Sequence, residues 1–182
     1  MKLRFVHLPV VDSTNAEAIR RCRNGCGSGT VIVAERQTAG RGSYGKKWAS
    51  PPGGLWMSLV VPPVFTGSET RYFTDAAVAA ARDTVSPLLP DREVAIKPPN
   101  DLLVNGKKIC GVLAEHAAGG NENFILGIGL NVNLRLEDLP RELRGTATSL
   151  LLETGKHTDI SDLCSVLAGA VAARLTAAAA DS

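Results

Sequence analysis

Leu102-Leu103-Val104-Asn105-Gly106-Lys107-Lys108-Ile109-Cys110-Gly111-Val112-Leu113-Ala114-Glu115 is the stretch that decides the fold. Two aliphatic runs flank Asn105-Gly106, a dipeptide suited to a two-residue type I′ turn because both positions tolerate positive φ. The spacing predicts an antiparallel hairpin with arms over 102–104 and 107–115. Glu93 to Lys97 alternates as a further strand, and Phe124 to Asn131 reads as another. Phe5–Val11, the β-branched Thr30–Ala34, and Leu55–Val61 closed by Pro62-Pro63 complete the strands. Thr14 followed three residues later by Glu17 fits a capping box and predicts a helix from Asn15 to Cys22. A second, alanine-rich helix is expected from Ser68 to about Leu88, ended by Pro87, and two more near 148–153 and 160–180. A hairpin-paired set of strands, with helices inserted and then trailing, is α+β rather than strictly alternating.

The 182 residues suit one domain over 1–182. With 45% hydrophobic and 21% charged residues, wholesale disorder is excluded. Twenty basic against eighteen acidic side chains leave a net charge of +2, which argues against a general nucleic-acid binder but allows a local anion site. No apolar run approaches the roughly 20 residues of a membrane span. The first residues lack a signal-peptide core, so a cytoplasmic protein is expected. Cys22, Cys26, Cys110 and Cys164 fit no zinc spacing and are expected to be reduced and structural, with no metal site.

Four further segments carry polar chemistry. Glu35 to Gly54 holds five glycines, two prolines and four basic residues without apolar periodicity, and predicts a long loop. Its Gly40-Arg41-Gly42-Ser43-Tyr44-Gly45 spells G-x-G-x-x-G, but Lys-Lys-Trp-Ala-Ser-Pro-Pro follows where a dinucleotide fingerprint needs a helix. Either the loop closes over an anionic ligand with Arg41 as a fork of donors, or it is a solvated loop with scattered charge. Lys97-Pro98-Pro99-Asn100-Asp101 offers a cation and a carboxylate held by stiff prolines, and Lys107-Lys108 lies just beyond. The alternative is an Asn-Asp turn beside a solvated hairpin edge. Ser13 and Thr14 are accounted for as helix caps, although a helix start also presents donors to a ligand. Gly127-Ile128-Gly129-Leu130-Asn131-Val132-Asn133 is either a bulged strand end or a bare platform for a ring, with Asn131 as a hydrogen-bonding neighbour.

Taken in order, these segments resemble the catalytic domain of biotin protein ligases. The family's pieces are an S-T-N helix start, a glutamine ahead of G-R-G-x-x-G-x-x-W-x-S-P, a K-W-P-N-D strand end, a G-K-K-x-x-G-x-L-x-E hairpin and a G-x-G-x-N-x-N strand. Here they stand as Ser13-Thr14-Asn15, Gln37 with Gly40 to Pro51, Lys97 to Asp101, Gly106 to Glu115, and Gly127 to Asn133. The resemblance implies a mixed, largely antiparallel sheet of the class II synthetase-like kind. It also implies an enzyme that makes biotinyl-5′-AMP from biotin and ATP, with Mg2+, and transfers biotin to a lysine of a biotin carboxyl carrier domain. By that likeness Ser13, Thr14, Asn15 and Gln37 bind the biotin head, while Gly40, Arg41, Gly42 and the backbone of Ser43 close over the adenylate. Lys108 contacts the biotin carboxylate and phosphate, Lys97 and Asn100 hold the phosphoryl region, and Asp101 is a base or orienting group for the incoming lysine. Trp48 orders the closed loop, Asn131 sits near the adenine, and Gly111 joins the binding set through its hairpin motif. Two positions depart from the family: Ser43 stands where an arginine is usual, implying looser adenylate retention, and Pro98 replaces a tryptophan. The chain is expected to carry neither an N-terminal DNA-binding domain nor a C-terminal SH3-like barrel. No DNA or membrane partner is expected, and a homodimer stays open. A lipoate or octanoate ligase or acyltransferase of the same superfamily, or a biotin-binding module without transfer, are the alternatives.

Overall fold

Asn105 (φ 47°) and Gly106 (φ 79°) both take positive φ, as the turn between the two aliphatic runs requires. The computed structural model describes residues 1–63, 69–117 and 123–180. Its strands are β1 (Arg4–Val11), β2 (Thr30–Gln37), β3 (Leu55–Val61), β4 (Val94–Lys97), β5 (Asp101–Val104), β6 (Lys107–His116) and β7 (Phe124–Leu130). They form one sheet in the order β1-β2-β3-β7-β6-β5-β4. Only β1 and β2 pair in parallel; every other neighbour is antiparallel. The helices are α1 (Thr14–Arg23), α2 (Glu69–Val85), α3 (Leu150–Thr154) and α4 (Ile160–Ala180). The α+β sheet expected from the hairpin is the sheet observed. The expected helix start at Ser68 lies outside the described residues.

Strand alternation sorts side chains between two faces. Leu55, Met57, Leu59 and Val61 of β3 join Leu126, Ile128 and Leu130 of β7 on one face. There they meet Phe73, Ala77, Ala81 and Val85 of α2 and Leu167, Val171 and Leu175 of α4, each set at helical spacing. The small alanines of α2 let its backbone approach the sheet. On the other face Ile32, Val60 and Ile125 pack against Ala18 and Cys22 of α1. Beyond the start of α1 that second face is left uncovered by helices, and the polar segments gather there.

Three local differences from the sequence reading have physical reasons. The strand expected to end at Ala34 continues to Gln37, because Arg36 and Gln37 pair with Val10 and Val11 of β1; their polarity hid them from an apolar pattern. The cap of α1 is Ser13, whose hydroxyl accepts from the Ala16 amide at 3.5 Å, and not Thr14. The hairpin also carries a bulge: Leu102 faces Cys110 but Leu103 faces Lys108, leaving Ile109 as the extra residue.

Candidate active site

A cavity of about 450 Å³ opens on the sheet face next to the start of α1. It brings together Ser13, Thr14, Asn15, Gln37, Arg41, Gly42, Ser43, Trp48, Lys97, Asn100, Asp101, Lys108, Gly111 and Asn131, nearly the whole sequence-derived set. Gly40 is the exception. It lies behind the wall, where a Cβ would stand 2.7 Å from Ser50 Oγ and 3.0 Å from Gln37 Nε2. The lack of a Cβ there lets the loop pass close to Gln37 and Ser50.

At the inner end, a polar chain is buried among apolar strands. Gln37 Oε1 accepts from the Thr14 amide at 2.8 Å, and its Nε2 donates to Ser50 Oγ at 2.7 Å. The Ser58 hydroxyl lies 2.7 Å from Thr14 Oγ1 and 2.5 Å from Asn15 Oδ1. Having a single proton, it can donate to only one of them at a time. Asn15 Nδ2 donates to Glu115 Oε2 at 2.7 Å. Ser13, Thr14 and Asn15 are each 4% exposed, so these groups must be satisfied by one another or by a ligand. Ser13 caps the helix while also lining the cavity, and Thr14 joins the buried network.

A glycine track makes room for this arrangement. A Cβ at Gly127 would collide with all three amide atoms of Asn15. A Cβ at Gly129 would stand 2.6 Å from Trp48 Nε1, and one at Gly111 would stand 2.8 Å from Trp48 Cζ3. The platform read from the sequence does seat a ring, but the ring is the chain's own Trp48 indole. That indole also meets Trp56 edge-on, with centroids 6.5 Å apart, and its buried Nε1 finds no partner among the described residues.

At the outer end the charges converge. Lys108 Nζ sits 2.6 Å from Asp101 Oδ1 and 4.9 Å from the Trp48 ring centroid, within cation–π reach. Strict alternation would set Lys108 and Gly111 on opposite faces. The bulge at Ile109 shifts the phase and turns Lys108 onto the cavity side, while Lys107 stays exposed at the hairpin edge. The backbone of Lys108 is clamped by the Lys108 amide to Thr146 O and the Thr148 amide to Lys108 O. Arg41 reaches in from the loop to Glu115 Oε2 at 3.1 Å. Asn100 Nδ2 donates to Ser43 Oγ at 2.9 Å, fastening the loop to the β4–β5 turn. Lys97 lies across the sheet register from Asp101 and makes no ion pair among the described residues. The loop has its own backbone bonds, from Gly42 to Lys46 O and from Trp48 to Gly40 O. Residues 43–45 form one 3-10 turn rather than the start of an α-helix, which disposes of the dinucleotide-fingerprint reading.

Asn131 lines the cavity, and one of its two Nδ2 hydrogens goes to Thr148 O at 2.8 Å; the second hydrogen and the carbonyl oxygen have no partner among the described residues. Asn133 is structural, exchanging hydrogen bonds with the Thr158 backbone. Burial pushes the Cys110 thiol up to about 12, so it stays protonated and is no nucleophile. Sequence reasoning missed Ser58, the wall built by Leu139, Leu143 and Ala147, and the contacts of Glu115. Ser58 had a visible signal, as the one hydroxyl inside Leu-Trp-Met-Ser-Leu-Val-Val. Among the described residues no group of three or more potential ligands converges on a metal position, and no helix is long and apolar enough to cross a membrane.

The α+β sheet thus carries a cation-lined cavity, a glycine-rich loop and a buried amide network. The model of the biotin/lipoate A/B protein ligase family matches residues 8–133, and the chain belongs to that family. It is 37% identical over 162 residues to the bifunctional ligase/repressor BirA of Bacillus subtilis, covering 87% of this chain and 50% of that protein. It is 39% identical over 144 residues to the biotin–[acetyl-CoA-carboxylase] ligase of Mycobacterium tuberculosis, covering 76% and 52%. The chain thus spans about half the length of these curated relatives. Among solved structures it is similar to the Aquifex aeolicus biotin protein ligase in complex with biotin and ATP, with TM-score 0.81 and 31% identity over 95% of this chain and 70% of that one. The Leishmania major biotin protein ligase in complex with biotinyl-5-AMP aligns with TM-score 0.74 and 28% identity, over 93% and 73%.

Proposed function

We propose that residues 1–182 act as one catalytic domain that activates biotin with ATP and transfers it to a lysine of a biotin carboxyl carrier domain, such as that of acetyl-CoA carboxylase. The observation that carries this reading is the convergence of Arg41, Lys97 and Lys108 on one cavity whose inner end is the Thr14–Asn15–Gln37 network. In the first step a biotin carboxylate oxygen attacks the α-phosphorus of ATP, and pyrophosphate leaves. Negative charge grows on the phosphoryl oxygens, where a fork of donors and two ammonium groups lower the barrier. In the second step a lysine amine attacks the mixed-anhydride carbonyl, AMP leaves, and the amine loses a proton. Asp101 is the carboxylate placed to accept or orient that proton, its charge balanced by Lys108. The half-buried indole of Trp48 and the loop held by Ser43 and Asn100 keep water from the anhydride. Ser43 brings a hydroxyl where an arginine would bring a second fork, and looser retention of the adenylate follows.

Magnesium is expected with ATP, since it neutralises phosphate charge. The cavity offers cations and one ion-paired carboxylate, which do not make a protein cage for it, so no step is assigned to the metal. The reaction draws on ATP, and the cytoplasm is the setting we propose.

The test is mass spectrometry of a biotin carboxyl carrier domain after incubation with this protein, biotin, magnesium and ATP. Biotin-dependent pyrophosphate release and addition of one biotinyl group to a carrier lysine are expected. Absence of biotin-dependent pyrophosphate at saturating substrate overturns the reading, and preference for lipoate or octanoate in direct competition replaces it. Tight biotin binding without turnover would leave a binding module.

A further inference from the structure

We propose that Glu115 is a positioning residue that ties the biotin-head pocket to the glycine-rich loop through one carboxylate oxygen. Its Oε2 accepts from Asn15 Nδ2 at 2.7 Å on one side and from Arg41 Nη2 at 3.1 Å on the other. Asn15 belongs to the first turn of α1, Arg41 to the loop, and Glu115 to β6. Three separate chain segments therefore meet at one atom.

Each contact does a distinct job. Asn15 has an amide that could be turned either way round. With Ser58 Oγ at 2.5 Å from Oδ1, and Nδ2 donating to Glu115 Oε2 at 2.7 Å and to the Leu113 carbonyl at 3.3 Å, only one orientation satisfies both ends. Glu115 thus helps choose which end of Asn15 is presented to the pocket. Arg41 uses a single N–H on Glu115. Its Nε and Nη1 make no hydrogen bond among the described residues, so the remaining edge of the fork is available to an anion. Held at one amine, the guanidinium is placed over the cavity in advance of the phosphate rather than withdrawn from it. Among the described residues Glu115 is one of two side chains that hydrogen-bond to side chains of the 41–43 segment, the other being Asn100 on Ser43.

This inference rests on the proposed adenylation reaction for its kinetic test, and a second readout is independent of it. The two contacts separate by substitution. Glu115→Gln keeps an oxygen for Asn15 and removes the charge on Arg41; Glu115→Ala removes both. The Arg41–Glu115 pair is half-exposed, with side chains 44% and 26% accessible, so its loss is expected to raise KM for ATP about two- to fivefold. Biotin binding should be unchanged in Glu115→Gln and weakened about tenfold in Glu115→Ala, where a charge-assisted bond is lost. In an Arg41→Ala background, Glu115→Gln should have no further effect on KM for ATP. A lowered KM, equal losses for biotin and ATP in Glu115→Gln, or the same loss in both backgrounds overturns the proposal. Without any substrate, tryptic cleavage at Arg41, Lys46 and Lys47 should be faster in Glu115→Gln than in the wild type. Equal cleavage rates overturn the proposal whether or not the wild type makes an adenylate. A wild type that releases no pyrophosphate while showing the cleavage difference would instead defeat the reaction alone.

Discussion

Replacing Gly127 by alanine tests the inner pocket at its tightest point. The new methyl would stand 2.8 Å from Asn15 Cγ and 2.9 Å from Nδ2, and nearer still to Oδ1, where ordinary contacts run 3.4–4 Å. The side chain it meets is not a flexible end. Asn15 is 4% exposed and held by Ser58 at 2.5 Å and Glu115 at 2.7 Å. Relief of the clash must move the amide by a large fraction of an ångström and break or stretch both bonds. A neutral hydrogen bond is worth about 1 kcal/mol and one to a charged group about 1.5–3 kcal/mol. Together they amount to roughly 2.5–4 kcal/mol, or about two to three powers of ten in an equilibrium constant. Titration calorimetry with biotin should show that loss, while circular dichroism shows an unchanged fold. The control is the double variant Asn15→Ala, Gly127→Ala, in which the clash has no partner. It should bind no worse than Asn15→Ala alone. Biotin affinity of Gly127→Ala within twofold of wild type would refute the claim that the glycine exists to seat Asn15.

Other outcomes follow from the same geometry. Arg41→Ala and Lys108→Ala should each slow pyrophosphate release about a hundredfold and weaken biotin binding by less; unchanged release in both would remove these residues from the chemistry. Gly106→Ala meets open space but a φ of +79°, so it should destabilise the protein by about 1–2 kcal/mol in urea unfolding, and a neutral result would contradict the turn assignment. The Arg20 guanidinium donates to both oxygens of Asp12 and holds its carboxyl at about 2, against an ordinary 3.8. A depressed carboxylate stabilises the fold above its unfolded value and ceases to do so as pH falls through the folded one. Asp12→Asn should therefore lower stability by no more than about 1 kcal/mol at neutral pH, the pair being half-exposed. That penalty should shrink below about pH 4; an equal penalty at about pH 7 and pH 3 would contradict the pairing.

Much of this was legible one segment at a time. Asn105-Gly106 announced its turn because type I′ geometry depends on those two residues alone. Pro62-Pro63 and Pro87 marked where a strand and a helix stop for equally local reasons. The Ser13-Thr14-Asn15 start was recognisable, yet which residue caps and which joins the buried network was not, since that turns on Ser58 and Gln37, more than twenty positions away. Gly40 read as part of the loop's binding motif; its close packing against Ser50 and Gln37 was not legible, because it depends on how the loop returns to the sheet. Asn131 and Asn133 look alike in the chain and diverge because different later segments, 148 and 158, fold back onto them.

The amino-acid order by itself determined the strands, the hairpin, the helices and the types of side chain available for chemistry, because turns, caps and hydrophobic periods act over a few residues. Only the tertiary structure decided which of those side chains face one another. Lys108 shows why. Counted along its strand it lies opposite Gly111, and a single extra residue at Ile109, set by pairing with β5 and by the clamp at Thr146 and Thr148, turns it toward Asp101 and the cavity. Register and bulges are settled by partners distant in the chain, so the site's charge geometry is a property of the folded sheet.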